Sequence, residues 1–426
     1  MDLEDGELRY FRVGPFELIR RVYFSVRDEA WRTVVPEILG LKVSQKLDGF
    51  TVDYQGRCRT ATLDFEYQIQ VVATLPGLIT VSAAGRPLRP SLANRFGFCV
   101  LLGAQAVCGR EFEVDLPQRK ALVFPYKLEQ VVFAENFKAL KYENSGGMTA
   151  EIELSKSDFG LEDQRFFGDS SFKLFSGMRY LYPQVSELTE KKQVLRLTVD
   201  YKSPPPQATK DPLEVTIGNP SQTPSLFMPS LHKLLAARRP QFFLDGWTHR
   251  ESWAAQSVVS WDFDPSVNLY DQKTFAENLD ALRDQADTVK DLAPGASLAL
   301  GVVSYRTNDS LAADPFQNAW VLAAIATASR AGISEISFGS LSQESSLLLV
   351  ELGNFAGVPL LPIKMSCEAT QSGERKYAGI AIEQDSQILV YLANLTELPT
   401  DLLVTVSDGK THTCHLMAYQ VGRWEL

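Results

Sequence analysis

Hydrophobic and polar residues alternate through the first two hundred positions, after which the pattern changes. Residues 8–13 and 16–23 read as a hairpin turning at Gly14-Pro15, since strand side chains point to opposite faces with a period of two. Short runs of the same kind follow at 49–54, 60–72, 78–84, 97–102 and 149–153, with a last one at 193–200. Gly, Pro and Asn-Ser turns separate them, which is the spacing of a β-sandwich. Almost nothing in this region keeps a helical period. Residues 202–210 carry Pro204-Pro205-Pro206 in polar surroundings, an extended spacer and a domain boundary. Beyond it strands are expected at 213–217, 241–245, 257–260, 297–304 and 333–338, with helices at 230–239, 274–292, 312–331 and 344–355. The helix at 274–292 sets Phe275, Leu279, Leu282, Ala286 and Val289 on one face. Strands alternating with helices mean a parallel α/β unit. About five strands fall short of the eight that a complete barrel of ~250 residues needs. Strand signals return at 378–383, 387–393, 401–405 and 415–419. The expected fold is therefore multidomain β and α/β. It comprises an N-terminal β-sandwich (1–205), an incomplete TIM-barrel-like α/β domain (206–362) and a small C-terminal antiparallel β domain (363–426).

One stretch keeps neither period. Residues 159–183 interleave Phe159, Phe166, Phe167, Phe172, Phe175, Tyr180 and Tyr182 with Glu162, Asp163, Arg165, Asp169 and Lys173. Aromatic rings favour burial, whereas charges tolerate it only when paired. The stretch reads as a long irregular connection, laid over a surface and held by ion pairs, or lining a polar cleft.

Charge and composition narrow the partners. A net charge of −10 with no basic run argues against a nucleic-acid surface. No stretch approaches the ~20 apolar residues of a membrane span, and the acidic start MDLEDGELRYF is no signal peptide. Five scattered cysteines fit reduced thiols in a cytoplasmic protein. His412-Thr413-Cys414-His415 offers imidazole and thiolate, but strand alternation sends these ligands to opposite faces, and no metal or other cofactor is expected. Cys99 has no histidine nearby in sequence and reads as a core thiol. No nucleophile elbow, phosphate loop or dinucleotide fingerprint is present.

In a parallel α/β unit chemistry sits at the C-terminal strand ends. There the sequence places Asp245, Trp247, His249, Asp262, Asp264, Asn268, Tyr270, Asp271, Tyr305 and Arg306. Carboxylates, an arginine and aromatic rings at one rim suit a sugar-like ligand. Loop ends are also polar for no functional reason.

Several local patterns resemble the D-apionate lactonase family of branched-sugar-acid catabolism. Arg20-Arg21-Val22-Tyr23 with Val26-Arg27-Asp28-Glu29-Ala30-Trp31-Arg32 is similar to an RRIY…VRDRNW signature. Asn94-Arg95-Phe96-Gly97-Phe98-Cys99 is similar to NRIGFC. Glu162-Asp163-Gln164-Arg165, followed by Asp169-Ser170-Ser171-Phe172-Lys173, resembles EDQRNWTDASFK. The resemblance implies a β domain with a (β/α)8-like barrel that hydrolyses a sugar-acid lactone. Two departures stand out. The α/β segment lacks several βα units, and the family's strand-end glutamate falls at Ser340, with Asn268 in the place of its histidine.

The leading expectation is a lactonase-like protein that hydrolyses or binds a sugar-acid lactone. Asp245, Asp264 and Glu162 are candidates to activate water. Substrate contacts are expected from Arg306, Tyr270, Trp247, Asn268, Arg165, Asp169 and Lys173, with an arginine stabilising the oxyanion. One alternative is a catalytically inactive relative serving as a binding or structural partner. The cut-down barrel leaves strands to cover, so self-association through the α/β domain is expected in that case. A glycoside hydrolase is a further alternative, though no carboxylate pair of the required kind is visible.

Overall fold

A computed structural model of the chain describes residues 1–29, 31–74, 77–116, 122–155, 159–176, 186–200, 214–217, 228–231, 250–266, 268–269, 271–305, 314–339, 341–365, 375–406 and 408–426. The chain divides into two units. One holds Met1–Asp163, Ser171–Ala208 and Gln371–Gly373; the other holds Gln164–Ser170, Thr209–Thr370 and Glu374–Leu426.

In the first unit the alternating pattern becomes two antiparallel sheets sharing one core. The seven-stranded sheet runs in the order Asp2–Glu4, Glu7–Val13, Phe16–Arg27, Arg95–Gly103, Ser171–Ser176, Phe159–Asp163, Val132–Phe137. The nine-stranded sheet runs Leu122–Val123, Glu111–Val114, Ala139–Glu143, Thr149–Leu154, Lys191–Asp200, Leu78–Pro87, Asp64–Thr74, Gly49–Arg59, Glu37–Lys46. Alternate residues such as Val22, Phe24, Val26, Phe98, Val100 and Phe172 enter the core from the first sheet. Val52, Phe65, Ile69, Val81 and Leu195 enter it from the second. Phe24 lies 6.4 Å from Phe65 and 5.0 Å from Tyr67, ring centre to ring centre. Each such side chain removed fully from water contributes roughly 1.5–3 kcal/mol. The sandwich therefore rests on apolar burial.

The structure differs from the sequence reading at its most unusual stretch. Residues 159–176 are not an irregular connection. Phe159–Asp163 and Ser171–Ser176 are strands paired antiparallel, joined through the single 3-10 turn Gln164–Phe167. Both strands are buried along their whole length, so the polar residues that hid the alternation do not face water. The other helical turn among the described residues of the first two hundred is Ala104–Val107. The final part of the stretch, 177–183, lies outside the described residues.

The second unit contains a parallel sheet in the order Met228–Leu231, Ile333–Phe338, Ser297–Val303, Val258–Phe263. Helices Gln272–Leu292 and Pro315–Arg330 connect its strands. Asp271 caps the first by accepting from Thr274 N at 2.9 Å, and Asp314 caps the second by accepting from Phe316 N at 3.0 Å. Pro315–Arg330 is apolar nearly all round and correspondingly buried, with Trp320 Nε1 donating to Phe275 O at 3.0 Å. The strand expected to open this α/β succession does otherwise. Glu214–Ile217 pairs with Thr400–Thr405 and Ile363–Met365, in a four-stranded sheet completed by Thr411–Leu416. That sheet shares a core with a second four-stranded one built on Tyr377–Gln384 and Gln387–Asn394. No helix among the described residues is long and apolar enough to cross a membrane.

Candidate functional site: a buried charged face of the seven-stranded sheet

The strands that carry the three family-like motifs are neighbours. Phe16–Arg27 pairs with Arg95–Gly103, which pairs with Ser171–Ser176, which pairs with Phe159–Asp163. With Val22, Phe24 and Val26 in the core, the period of two turns Arg21, Tyr23, Ser25 and Arg27 to the other face. The register sets Tyr23 beside Cys99, Arg27 beside Arg95, Cys99 beside Phe175 and Lys173 beside Glu162. The sheet thus has one apolar face and one charged face, and both are buried. Arg21, Arg27, Arg95, Glu162 and Lys173 are each 2–6% exposed.

Glu162 is the acidic centre of this layer. Its Oε1 lies 3.5 Å from Arg95 Nη1 and its Oε2 3.9 Å from Lys173 Nζ. The Arg95 guanidinium also sits between aromatic rings, 4.5 Å from the Trp31 centroid and 5.1 Å from that of Phe175, a cation–π arrangement. The loop bearing Trp31 is fixed by Asp28, which accepts from Arg32 N at 2.9 Å and from Arg32 Nε at 2.8 Å. Close packing behind the layer accounts for the glycine of the second motif. Gly97 has φ +142°, and a Cβ there would lie 2.2 Å from Ser176 Oγ. Ser176 Oγ in turn accepts from Gln193 Nε2 at 2.6 Å.

Burial, with Arg27 beside it, pulls the Lys173 ammonium down to about 8, against the opposing pull of Glu162. Burial likewise lowers Arg95 from its ordinary value and raises the thiol of Cys99 and, strongly, the hydroxyl of Tyr23. Ser25 Oγ is buried on this face with no hydrogen-bond partner among the described residues. Cationic groups, a carboxylate and hydroxyls in a low-dielectric layer form an environment suited to an anionic, hydroxylated ligand.

The middle of the third motif does something else. Gln164–Ser170 belongs to the second unit. Arg165 is fully buried, with Nη1 3.1 Å from Asp284 Oδ2 and its carbonyl accepting from Gln285 Nε2 at 2.7 Å. Asn268 Nδ2 donates to Gln164 Oε1 at 3.1 Å and to Asp169 Oδ2 at 2.7 Å. Asn278 Oδ1 accepts from Ser170 N at 3.0 Å, and its Nδ2 donates to Pro265 O at 2.7 Å. Gly168, at φ +92°, lies so close to Asp264 O that a Cβ would be 2.6 Å from it. Asp264 Oδ1 accepts from Ser266 N at 2.9 Å and from Ser266 Oγ, closing a local turn. Burial outweighs Arg165 in raising the Asp284 carboxyl above its ordinary value.

The candidates from the sequence thus fall into three groups. Glu162 and Lys173 meet on the charged face. Arg165, Asp169 and Asn268 belong to the hydrogen-bonded knot, with Asp264 packed beside it, its carbonyl against Gly168. Asp245, Trp247, Tyr270 and Arg306 lie outside the described residues, as does Ser340. Sequence reasoning missed Arg27, Arg95, Tyr23 and Ser25 as members of the layer, although the first two motifs contain the first three and the first motif spans the fourth. Among the described residues no cluster of three His, Cys, Asp or Glu side chains could hold a metal ion, and Cys414 points into a core. A cleft of about 780 Å³ opens on the nine-stranded sheet, lined by Asp53, Gln55, Gln68, Gln70, Ser82 and Lys192 among others. It holds none of the sequence candidates.

Fold and site together define a two-sheet antiparallel sandwich with a buried, predominantly cationic face, followed by an α/β and β unit. Residues 1–201 match the family model of the D-apionate lactonase N-terminal domain. A D-apionate lactonase from Brucella anthropi is 30% identical over 233 residues, which are 52% of this chain and 38% of that protein. The match therefore spans well under half of that relative. Among solved structures, a Paenibacillus polymyxa xyloglucanase of glycoside hydrolase family 44 is 8% identical, with a TM-score of 0.30 over 43% of this chain and 48% of that one. A β-arabinopyranosidase is 6% identical, with a TM-score of 0.29 over 96% and 93%. Overlaps this low carry no argument about function.

Proposed function

We propose that this chain is a lactonase-like protein of sugar metabolism whose charged sheet face receives a sugar-derived acid or its lactone. The observation that carries the reading is the meeting of all three family-like motifs on that face, with Lys173, Arg27 and Arg95 around Glu162. In the catalytic version, Glu162 takes a proton from water as the oxygen attacks the lactone carbonyl. Lys173 and Arg95 hold the oxyanion. Collapse of the tetrahedral intermediate breaks the ring C–O bond, and the leaving alkoxide takes the proton back from Glu162. The new carboxylic acid then releases water's second proton to solvent, and the open-chain hydroxy acid leaves its carboxylate against the same cations. Asp264 and Asp245 are the other carboxylates that could serve as the base, with Arg306 as a further anion partner. We read the parallel sheet of the second unit as a reduced relative of a TIM barrel, and the setting as cytoplasmic. The free thiols Cys58, Cys99, Cys108 and Cys414 support that setting.

A second reading keeps the binding and drops the chemistry. The direct bonds of Arg165 to Asp284, of Asp169 to Asn268 and of Asp264 to Ser266 favour it, because side chains so engaged support a fold rather than a reaction. A panel of aldonolactones, followed by acid release, separates the two, with calorimetric titration of the corresponding aldonates alongside. The catalytic version expects turnover that falls about 10²–10⁴-fold in Glu162→Gln. Aldonate binding without turnover, weakened in Lys173→Met, selects the binding reading. Neither turnover nor binding would sink both.

A further inference from the structure

We propose that the outer strand of the nine-stranded sheet, Glu37–Lys46, is a self-pairing surface through which two copies of this chain join their sheets. The strand ends its sheet and, among the described residues, pairs on one side only, with Gly49–Arg59. Every residue of it except Ile38 is exposed. Leu39, Leu41 and Val43 are 44%, 52% and 62% exposed, so apolar side chains line an open row of backbone donors and acceptors. Monomeric proteins blunt such edges with proline, short strands, bulges or lysines, and of these the strand carries the bulge between Leu39 and Lys42 and the two lysines Lys42 and Lys46. This one is ten residues long and has no proline.

The occupant follows from register and charge. Leu47-Asp48 forms a two-residue turn between paired Lys46 and Gly49, and such turns close on a hydrogen-bonded pair. Alternation then directs the backbone of Lys46, Ser44 and Lys42 inward and that of Gln45 and Val43 toward the open edge. The register shift between Leu39 and Lys42 resets the count, so Leu39 and Glu37 turn inward and Ile38 outward. An antiparallel second copy can therefore pair Gln45 with Ile38, and Val43 with Gly40, on both sides of the bulge at once. That register sets Glu37 opposite the second copy's Lys46 at each end of the contact. A parallel arrangement would set Glu37 on Glu37 instead. The segment is complementary to itself about a two-fold axis, which selects a second copy as the partner.

Sedimentation velocity across a concentration series tests this on the full chain. Wild type is expected to pass from monomer to dimer. Lys46→Glu places like charges opposite each other twice and should raise the dissociation constant about tenfold. The double swap Glu37→Lys with Lys46→Glu should restore it. Val43→Pro removes an outward amide without touching the strand's own hairpin bonds, and should abolish the dimer while circular dichroism stays unchanged. A wild type that remains monomeric throughout overturns the proposal. So does a dimer that these variants leave unmoved, or one that the double swap fails to restore.

Discussion

The EDQR…DSSFK motif holds two kinds of buried charge, and they are built differently. At its ends, Glu162 and Lys173 lie opposite each other on a sheet face at 3.9 Å, a loose pair with Arg27 and Arg95 crowding the same layer. In its middle, Arg165 is 3.1 Å from Asp284, its carbonyl is bonded to Gln285, and the neighbouring Asp169 accepts from Asn268 at 2.7 Å. The knot holds Gln164, Arg165, Asp169 and the Ser170 amide by direct hydrogen bonds, which offset desolvation in a structural network. The layer leaves its lysine depressed, and shifts of that kind cluster at sites poised for a ligand. Similar residue types in one short motif therefore divide between holding the fold and meeting a ligand.

The largest effect expected from that division is on stability. Arg165→Ala empties the space of a fully buried side chain and takes from the part-buried Asp284 its closer partner, leaving Arg283 at 3.3 Å, so a loss of about 2–5 kcal/mol is expected. Urea unfolding should show the midpoint drop with an unchanged slope. A loss under about 1 kcal/mol would mean the pair is no more than a surface-like contact and would erase the contrast.

Lys173→Met should act in the other direction and depend on pH. The folded chain holds this proton less tightly than the unfolded chain does, since its value is about 8 against an ordinary ~10.4. The contribution of the neutral lysine is therefore lost as pH falls through about 8, and stability grows as pH rises from there toward the ordinary lysine range. The methionine variant lacks that rise and should be the more stable protein near neutrality, by up to about 3 kcal/mol. Parallel stability curves for the two proteins between those limits would show that Lys173 titrates as an exposed lysine. Binding of an aldonate by wild type should weaken over the same rise in pH, as the ammonium is lost.

What the sequence made legible follows the same line. The strand Ile333–Phe338 lies where its apolar run placed it, and the helix expected at 274–292 is Gln272–Leu292, because one face of each is apolar and the other is not. Eight of the sandwich strands were legible in their alternation, whereas Glu37–Lys46, Glu111–Val114, Val132–Phe137 and Ala139–Glu143 were not expected from the sequence. The motif 159–176 was not, because the face opposite the core is itself buried and charged, so a two-sided strand reads as mixed polarity. Arg21, Tyr23, Ser25 and Arg27 keep a strict period of two, yet such a row ordinarily faces water, and only burial shows otherwise. Glu214–Ile217 was assigned to the wrong sheet because its partner, Thr400–Thr405, is remote in sequence and leaves no local trace.

The smallest effects bring the comparison down to single hydrogen bonds. Asn268→Ala removes two donated bonds inside the knot, to Gln164 at 3.1 Å and Asp169 at 2.7 Å, and leaves a buried carboxylate short of a donor. A loss of about 1–3 kcal/mol is expected. Ser25→Ala removes a hydroxyl that is equally buried but has no partner among the described residues. Nothing is broken in the free protein, so its stability should stay within about 0.5 kcal/mol of wild type or rise slightly. If that hydroxyl meets the ligand, however, the same variant should bind aldonates several-fold more weakly, whereas Asn268→Ala at a permissive temperature should not. The two variants measured together, by unfolding and by titration, therefore separate the regions. Equal stability losses with unchanged binding in both would mean that the charged layer is a second knot, and would return the whole motif to a structural role.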